Sequence, residues 1–369
     1  MSIDKFTPLV KRLPTTVPFV GPEAQERAMG RLFRARIGAN ENVFGPSPKA
    51  VAAMQKAAGE VWMYGDPENH DLKQAIAAHH NIKTENVVVG EGIDALLGYT
   101  VRMYMEEGGI TVTSLGAYPT FNYHVTGHGG ELVMVPYVGD FEDRVALLEA
   151  ARKHHVRMIY LANPDNPMGT YWKGSQVQEM IDALPEESVL VLDEAYIEFA
   201  PDDAAPPLDV SNPNVLRYRT FSKAYAMAGA RVGYAIGEEN VIKSFDKVRD
   251  HFGLNRVAQA GALAALKDQE WLSNVVENVS AACARIAKIA EANGLEALPT
   301  AANFVAIDCG ADGDFARKVY QALTDDAIFV RMPAVAPQDR CVRISAGSVQ
   351  DLDCFEAAFP KALATAKEQ

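Results

Sequence analysis

The sequence predicts an α/β fold: a large domain built on a mostly parallel sheet with helices on both faces, then a smaller α+β C-terminal domain. Three observations carry this expectation. Short, nearly continuous apolar runs recur between residues 86 and 236, most of them separated by helix-like stretches, the pattern of strands buried on both faces. After about residue 250 the texture changes to long Ala-rich amphipathic helix and then to further strands. The 369 residues, 48% apolar and 22% charged, are enough for about two domains with a sizeable core.

In chain order, residues 1–37 are punctuated by Pro8, Pro14, Pro18 and Pro22 and read as an N-terminal arm. The large domain is expected over 38–255. Its helices are placed at 49–59, 72–80, 93–106, 141–154 and 175–184, and its strands at 86–89, 110–113, 132–135, 156–161, 189–192, 215–218 and 232–236. The small domain, 256–369, carries a long helix over 272–293 and strands at 303–308, 328–331 and 341–345. There is neither an internal repeat nor a low-complexity linker.

Composition narrows the function. A net charge of −13 with no Lys/Arg cluster argues against a nucleic-acid surface. Cys283, Cys309, Cys341 and Cys354 are scattered without a CxxC pair, so bystander thiols in a reducing compartment are expected rather than disulfides or a metal site. The N-terminal MSIDKFTPLVKRLP lacks the apolar stretch of a secretory signal, and no run approaches the ~18 apolar residues of a membrane span. The expectation is a soluble cytoplasmic protein.

In such sheets ligands bind beyond the carboxyl ends of the strands, so residues just after apolar runs are the informative ones. Four segments qualify. The run Val189–Leu192 ends in Asp193-Glu194-Ala195-Tyr196, a carboxylate at a strand tip suited to a cation. An ATPase reading of that segment needs a GxxxxGK(S/T) loop, and none exists. Next, Thr220-Phe221-Ser222-Lys223 follows the run ending near Tyr218, about one crossover later, so Lys223 and Asp193 approach one crevice. Apolar neighbours from Ala224 to Ala228 suggest a desolvated lysine, whose lowered pKa makes it nucleophilic toward carbonyls. Arg231 is placed to neutralise a phosphate together with Ser222.

The third segment, Gly90-Glu91-Gly92, precedes a helix, where backbone N–H groups and the dipole hold an anion. It also fits GxGxxA with Ala95, a dinucleotide pattern, but the ribose-binding acid expected at the next strand tip is missing. A single-phosphate site is the reading. The fourth, Asn163-Pro-Asp-Asn-Pro-Met-Gly169, is a stiff polar loop after a strand.

Together and in this order these segments resemble the fold-type I pyridoxal-phosphate aminotransferases, specifically the histidinol-phosphate aminotransferase branch. Residues 38–48 (GANENVFGPSP), 64–67 (YGDP), 117–121 (AYPTF), 330–331 (VR) and 341–344 (CVRI) extend the likeness from about residue 38 to the C-terminus. The resemblance implies pyridoxal 5′-phosphate as cofactor, linked covalently to Lys223, which then shuttles a proton between the substrate α-carbon and the cofactor. It implies that Asp193 pairs with the pyridine nitrogen and keeps it protonated, that Asn166 and Tyr196 hydrogen-bond the ring oxygen, and that Phe121 stacks on the ring, with Tyr123 as the fallback. Phosphate would be held by the backbone of Gly90, Glu91 and Gly92, by Ser222 and Arg231, and by Thr220. Tyr64 corresponds to a tyrosine that reaches the partner's phosphate, which implies a homodimer. Arg343 would grip a substrate carboxyl or its equivalent, Arg331 a distal phosphate, with Asn40 and Phe44 also on the substrate side.

The match departs from the family's pattern at Ile93, Glu91, Met168 and Phe44. Glu91 must point away from a phosphate. His124 and His128 are spaced i,i+4, but Gly127, Gly129 and Gly130 argue against a helix, and no metal is expected. The leading function is transfer of an amino group from histidinol phosphate to 2-oxoglutarate. Open alternatives are an aromatic or other amino-acid transaminase, a pyridoxal-phosphate decarboxylase of an amino-acid phosphate, and, from another class, a nucleotide-binding protein without the cofactor.

Overall fold

The computed structural model describes residues 5–15 and 19–368. Residues 1–4 and 16–18 of the expected arm, Pro18 among them, lie outside the described residues. Twelve strands are present among the described residues: β1 (Ala35–Arg36), β2 (Val87–Gly90), β3 (Ile110–Ser114), β4 (Glu131–Val135), β5 (Met158–Ala162), β6 (Val189–Asp193), β7 (Val215–Thr220), β8 (Gly233–Ile236), β9 (Glu296–Ala297), β10 (Phe304–Asp308), β11 (Ile328–Phe329) and β12 (Cys341–Ser345).

Seven of them form the central sheet in the order β2-β8-β7-β6-β5-β3-β4. From β7 to β4 every pairing is parallel, as the helix-separated apolar runs require; β8 alone runs antiparallel, to both β7 and β2. Every residue of β5 and β6 is buried, because helices cover both faces. Strand alternation sorts the side chains. Met158, Tyr160, Val189, Val191 and Tyr218 pack with Leu96, Leu97 and Val101 of helix Gly92–Tyr104. Ile159, Leu161, Leu190 and Leu192 pack on the other face with Leu147, Leu148 and Ala151 of helix Arg144–His154.

The C-terminal unit has an antiparallel sheet, β12-β10-β9, against the helices Gln269–Ala292, Gly313–Asp325 and Val349–Glu368. Two edges of the expected domains differ from their packing. Residues 35–37, read as arm, join the C-terminal unit: β1 pairs with β11, the Ser345 N–H donates to the Ile37 carbonyl at 2.8 Å, and Ala35 and Ile37 sit in that unit's core. Helix Arg256–Leu266, placed in the small domain, packs instead with the large sheet, since Ala258, Ala262 and Ala265 let it lie close to Leu72 and Ile76.

Helix Pro119–Gly127 corrects the expectation of no helix around His124. Pro119 starts it, the glycines at 127, 129 and 130 lie at or beyond its end, and His124 turns to Asp94 at 2.7 Å. No helix among the described residues is long and apolar enough to cross a membrane.

Candidate active site

Beyond the carboxyl ends of β5, β6 and β7 lies a cleft of about 760 Å³, roofed on its outer side by Phe19, Pro22 and residues 331–335. Parallel pairing puts Ala162 beside Asp193 and Asp193 beside Tyr218, so the loops after these strands open into one space. Asp193 and Lys223 both line it.

Asp193 is buried at the tip of β6. Its Oδ2 accepts from the Tyr160 hydroxyl at 2.7 Å and its Oδ1 from the Ala195 N–H at 2.9 Å. Burial pushes this carboxyl above the ordinary aspartate value, against the pull of those two donors. A cation placed beside it would return it to the ionised form.

Lys223 is half-buried on the loop after β7, and Nζ donates to the Asn40 carbonyl at 3.1 Å. Desolvation, helped by Arg343 and Arg231, lowers the amine to about 8. About a tenth of it is therefore a neutral nucleophile at pH 7, far more than for an ordinary lysine. Tyr196 lies under it, ring centroid 5.6 Å from Nζ, and its hydroxyl receives donors from Asn40 at 2.9 Å and Asn166 at 3.4 Å.

The opposite end is an anion cradle. Gly92 has φ 86, and a β-carbon there would stand 2.6 Å from an Arg231 guanidinium nitrogen. The arginine thus rests on the bare backbone at the start of helix Gly92–Tyr104, and it reaches Ser222 Oγ at 3.4 Å. Thr220 lines the same wall, with its hydroxyl oxygen accepting from the Ser222 N–H at 3.0 Å and directed to the Val232 carbonyl at 3.3 Å. Glu91 turns outward, its carboxylate against Gly253 and 3.3 Å from the Tyr99 hydroxyl, so the acid beside the cradle does not enter it.

At the outer end, Arg343 donates to Asn166 Oδ1 and to the Gly38 carbonyl, while its buried Nε has no partner among the described residues. Arg331 lines the cleft beside it, because the two residues face each other across an antiparallel bridge. The Arg331 guanidinium donates to the Val20 carbonyl at 2.6 Å and lies over the Phe329 ring.

Three residues expected at the cleft, Phe121, Tyr123 and Phe44, are elsewhere. Phe121 is fully buried, stacked on Tyr160 at 4.8 Å between centroids, because its place in helix Pro119–Gly127 points it into the sheet core with Val125. Tyr123, the fallback, is exposed. Tyr118, which the sequence reading missed, lines the cleft wall together with Phe19, Tyr160 and Tyr196; the Pro119 helix start was the available signal. Phe44 packs on the C-terminal core rather than facing the cleft. Met168 is buried with Tyr137, Leu298 and Cys341, so its substitution for threonine adds packing and not a cleft contact. Tyr64 is 77% exposed and packs on Phe252, away from its own cleft.

The family model for aminotransferase class I and II matches residues 36–358. This chain belongs to that family. Histidinol-phosphate aminotransferase of Anaeromyxobacter sp. is 34% identical over 361 residues, 96% of this chain and 98% of that protein. Histidinol-phosphate aminotransferase 2 of Carboxydothermus hydrogenoformans is 33% identical over 343 residues, 92% of this chain and 94% of its own length. The crystal structure of histidinol-phosphate aminotransferase from Sinorhizobium meliloti, in complex with pyridoxal 5′-phosphate, matches with a TM-score of 0.96 at 51% identity and covers 98% of each chain.

As an aminotransferase of this family the chain depends on pyridoxal phosphate, and its cleft fits that group. A buried carboxylate faces an amine of lowered pKa, and a glycine-floored arginine lies at the N-terminus of a helix of thirteen residues, 92–104.

Proposed function

We propose that this aminotransferase takes its amino group from histidinol phosphate and gives it to 2-oxoglutarate. The observation that carries the reading is the pair Arg331 and Arg343, held on facing backbone positions and lining one cleft. A transaminase uses one site for both partners. Histidinol phosphate brings one phosphate and no carboxylate; 2-oxoglutarate brings two carboxylates. Two adjacent guanidinium forks can receive either set. The names of the relatives support histidinol phosphate as the donor.

Bound in the cleft, pyridoxal phosphate supplies an electron sink for the charge left when a proton leaves the donor's α-carbon. The chain's residues do the rest. Asp193 would keep the ring nitrogen protonated, and Asn166 and Tyr196 would donate to the ring oxygen. Arg231, Ser222 and the Gly92 backbone would hold the phosphate, with Tyr118 on the adjoining wall. Lys223, with an amine near 8, would accept at Nζ the proton that leaves the donor's α-carbon and give it back once the charge has moved into the ring system. The segment at Phe19–Pro22 shields these steps from water.

A homodimer is part of the proposal. Tyr64, 77% exposed, packs on the exposed Phe252, and Trp62 two positions before it is 81% exposed; such exposed aromatics suit a second copy, and Tyr64 would serve that copy's phosphate site. A reducing cytoplasmic setting is supported by four free cysteines.

The purified protein is expected to absorb visible light, with the band lost in Lys223→Ala or after borohydride. Mixing single donors with the enzyme and following that band then tests the substrate. Histidinol phosphate should bleach it at micromolar concentrations. A response to plain aromatic amino acids and none to phosphate-bearing donors would refute the assignment.

A further inference from the structure

The backbone carbonyl of Asn40 sits at the centre of the cleft's polar network. It accepts from Lys223 Nζ at 3.1 Å and from Asn303 Nδ2 at 3.0 Å. Every other polar atom of Asn40 is also engaged. Its N–H donates to Ser345 Oγ at 2.9 Å, its Oδ1 accepts from that same hydroxyl at 2.9 Å, and its Nδ2 donates to the Tyr196 hydroxyl at 2.9 Å. Asn40 is 2% exposed and has φ 54, a left-handed backbone that a non-glycine residue keeps only when its surroundings impose it.

The residues imposing it come from the C-terminal unit. Ser345 ends β12, pairs with Phe304 of β10, and gives its N–H to Ile37; Asn303 immediately precedes β10 and anchors the Ala346 N–H. Both are buried. The carbonyl that meets the lysine of the large unit is therefore held by the small one.

We propose that Asn303 and Ser345 are positioning residues, which lock Asn40 so that its carbonyl is a fixed acceptor for the Lys223 amine whenever that amine is not bonded to the cofactor. The inference rests on the proposed role of Lys223 and deepens it. A transaminase lysine is released in each half-reaction and must wait, oriented, to carry the proton. Around it stand Glu41 and Asp193 as anions, Arg231 and Arg343 as cations, and the Tyr196 ring. Among the described residues no carboxylate is hydrogen-bonded to Nζ, so the neutral carbonyl supplies its acceptor. Loosening that carbonyl removes an acceptor from the ammonium form and drives the amine further down.

The test is acylation of Lys223 by acetic anhydride in the cofactor-free full-length chain, followed by mass spectrometry across pH, with melting temperature read in parallel. Asn303→Leu keeps the volume and removes the donor; Ser345→Ala removes the hydroxyl and Ser345→Thr restores it. The expected result is a labelling midpoint lowered by about half a unit or more in Asn303→Leu and Ser345→Ala, with Ser345→Thr returning to the parent value. In the cofactor-loaded enzyme kcat should fall roughly tenfold with KM little changed. If Asn303→Leu fails to fold, the two Ser345 variants decide. Midpoints that coincide with the parent chain, whatever the melting temperatures, overturn the proposal. A parent chain whose Lys223 labels like a surface lysine, and which stays colourless with added pyridoxal phosphate, would instead overturn the role of Lys223 itself.

Discussion

At the inner end of the cleft, Asp193 and Thr220 are the last residues of neighbouring parallel strands, and Tyr160 reaches Asp193 from the next strand over. At the outer end, Arg331 follows a two-residue strand and is tied to Val20, 311 positions away in the chain. The inner end is positioned by the sheet's register, and a side chain there moves only if the sheet does. The outer end is assembled from irregular segments. Bond making at a cofactor needs fixed geometry, whereas recognition of a distal anion tolerates, and profits from, walls that can yield.

Four substitutions test how far this contrast holds. Asp193→Asn should have the largest effect, lowering kcat/KM on the order of 10²- to 10³-fold or more, because the ring nitrogen loses its counter-charge. A loss below tenfold, in steady-state rates, would mean that the inner end is less exacting than its geometry implies. Arg343→Lys should raise KM for both partners roughly 10- to 100-fold while kcat falls less, since a fork of donors is replaced by a point charge. Arg331→Ala is expected to weaken phosphate-bearing donors by about tenfold and spare donors without a distal anion. Equal losses for both classes would place Arg331 in the structure of the wall rather than in recognition.

The smallest effect concerns stability. In the cofactor-free protein the Lys223 amine sits near 8, below its unfolded value of 10.5. The folded state then binds fewer protons than the unfolded one between those two values, so stability rises as pH climbs through that window. Below about 8 the buried charge is a standing cost. Lys223→Met should accordingly be more stable than the parent at pH 7, by on the order of 1 to 3 kcal/mol, with the gap closing toward pH 10.5 in thermal melts. A gap that widens with pH would mean that the amine is stabilised, not desolvated.

The inner end was readable in the sequence because strand tips announce themselves: an apolar run followed by Asp193, or by Thr220 through Lys223. Tyr118 was missed because Tyr118, Phe121 and Tyr123 compete within six positions, and choosing among them depends on where a helix begins. Pro119 marks that start, after which Phe121 and Val125, four apart, belong to the buried face. The roles of Asn303 and Ser345 left no local trace, since their contacts to Asn40 span 263 and 305 residues. Nor could composition reveal that helix Arg256–Leu266 would side with the large sheet, since its small residues pack against either unit equally well on paper.

The bare α-carbon at position 92 leaves this enzyme one mutational dead end beside a wide field of freedom. Any side chain introduced there would evict the guanidinium of Arg231 and strain the backbone in the same stroke. A directed-evolution library aimed at new amino donors therefore gains nothing by randomising that codon, and does better to spend its diversity on residues 331–335 and on the stretch from Phe19 to Pro22.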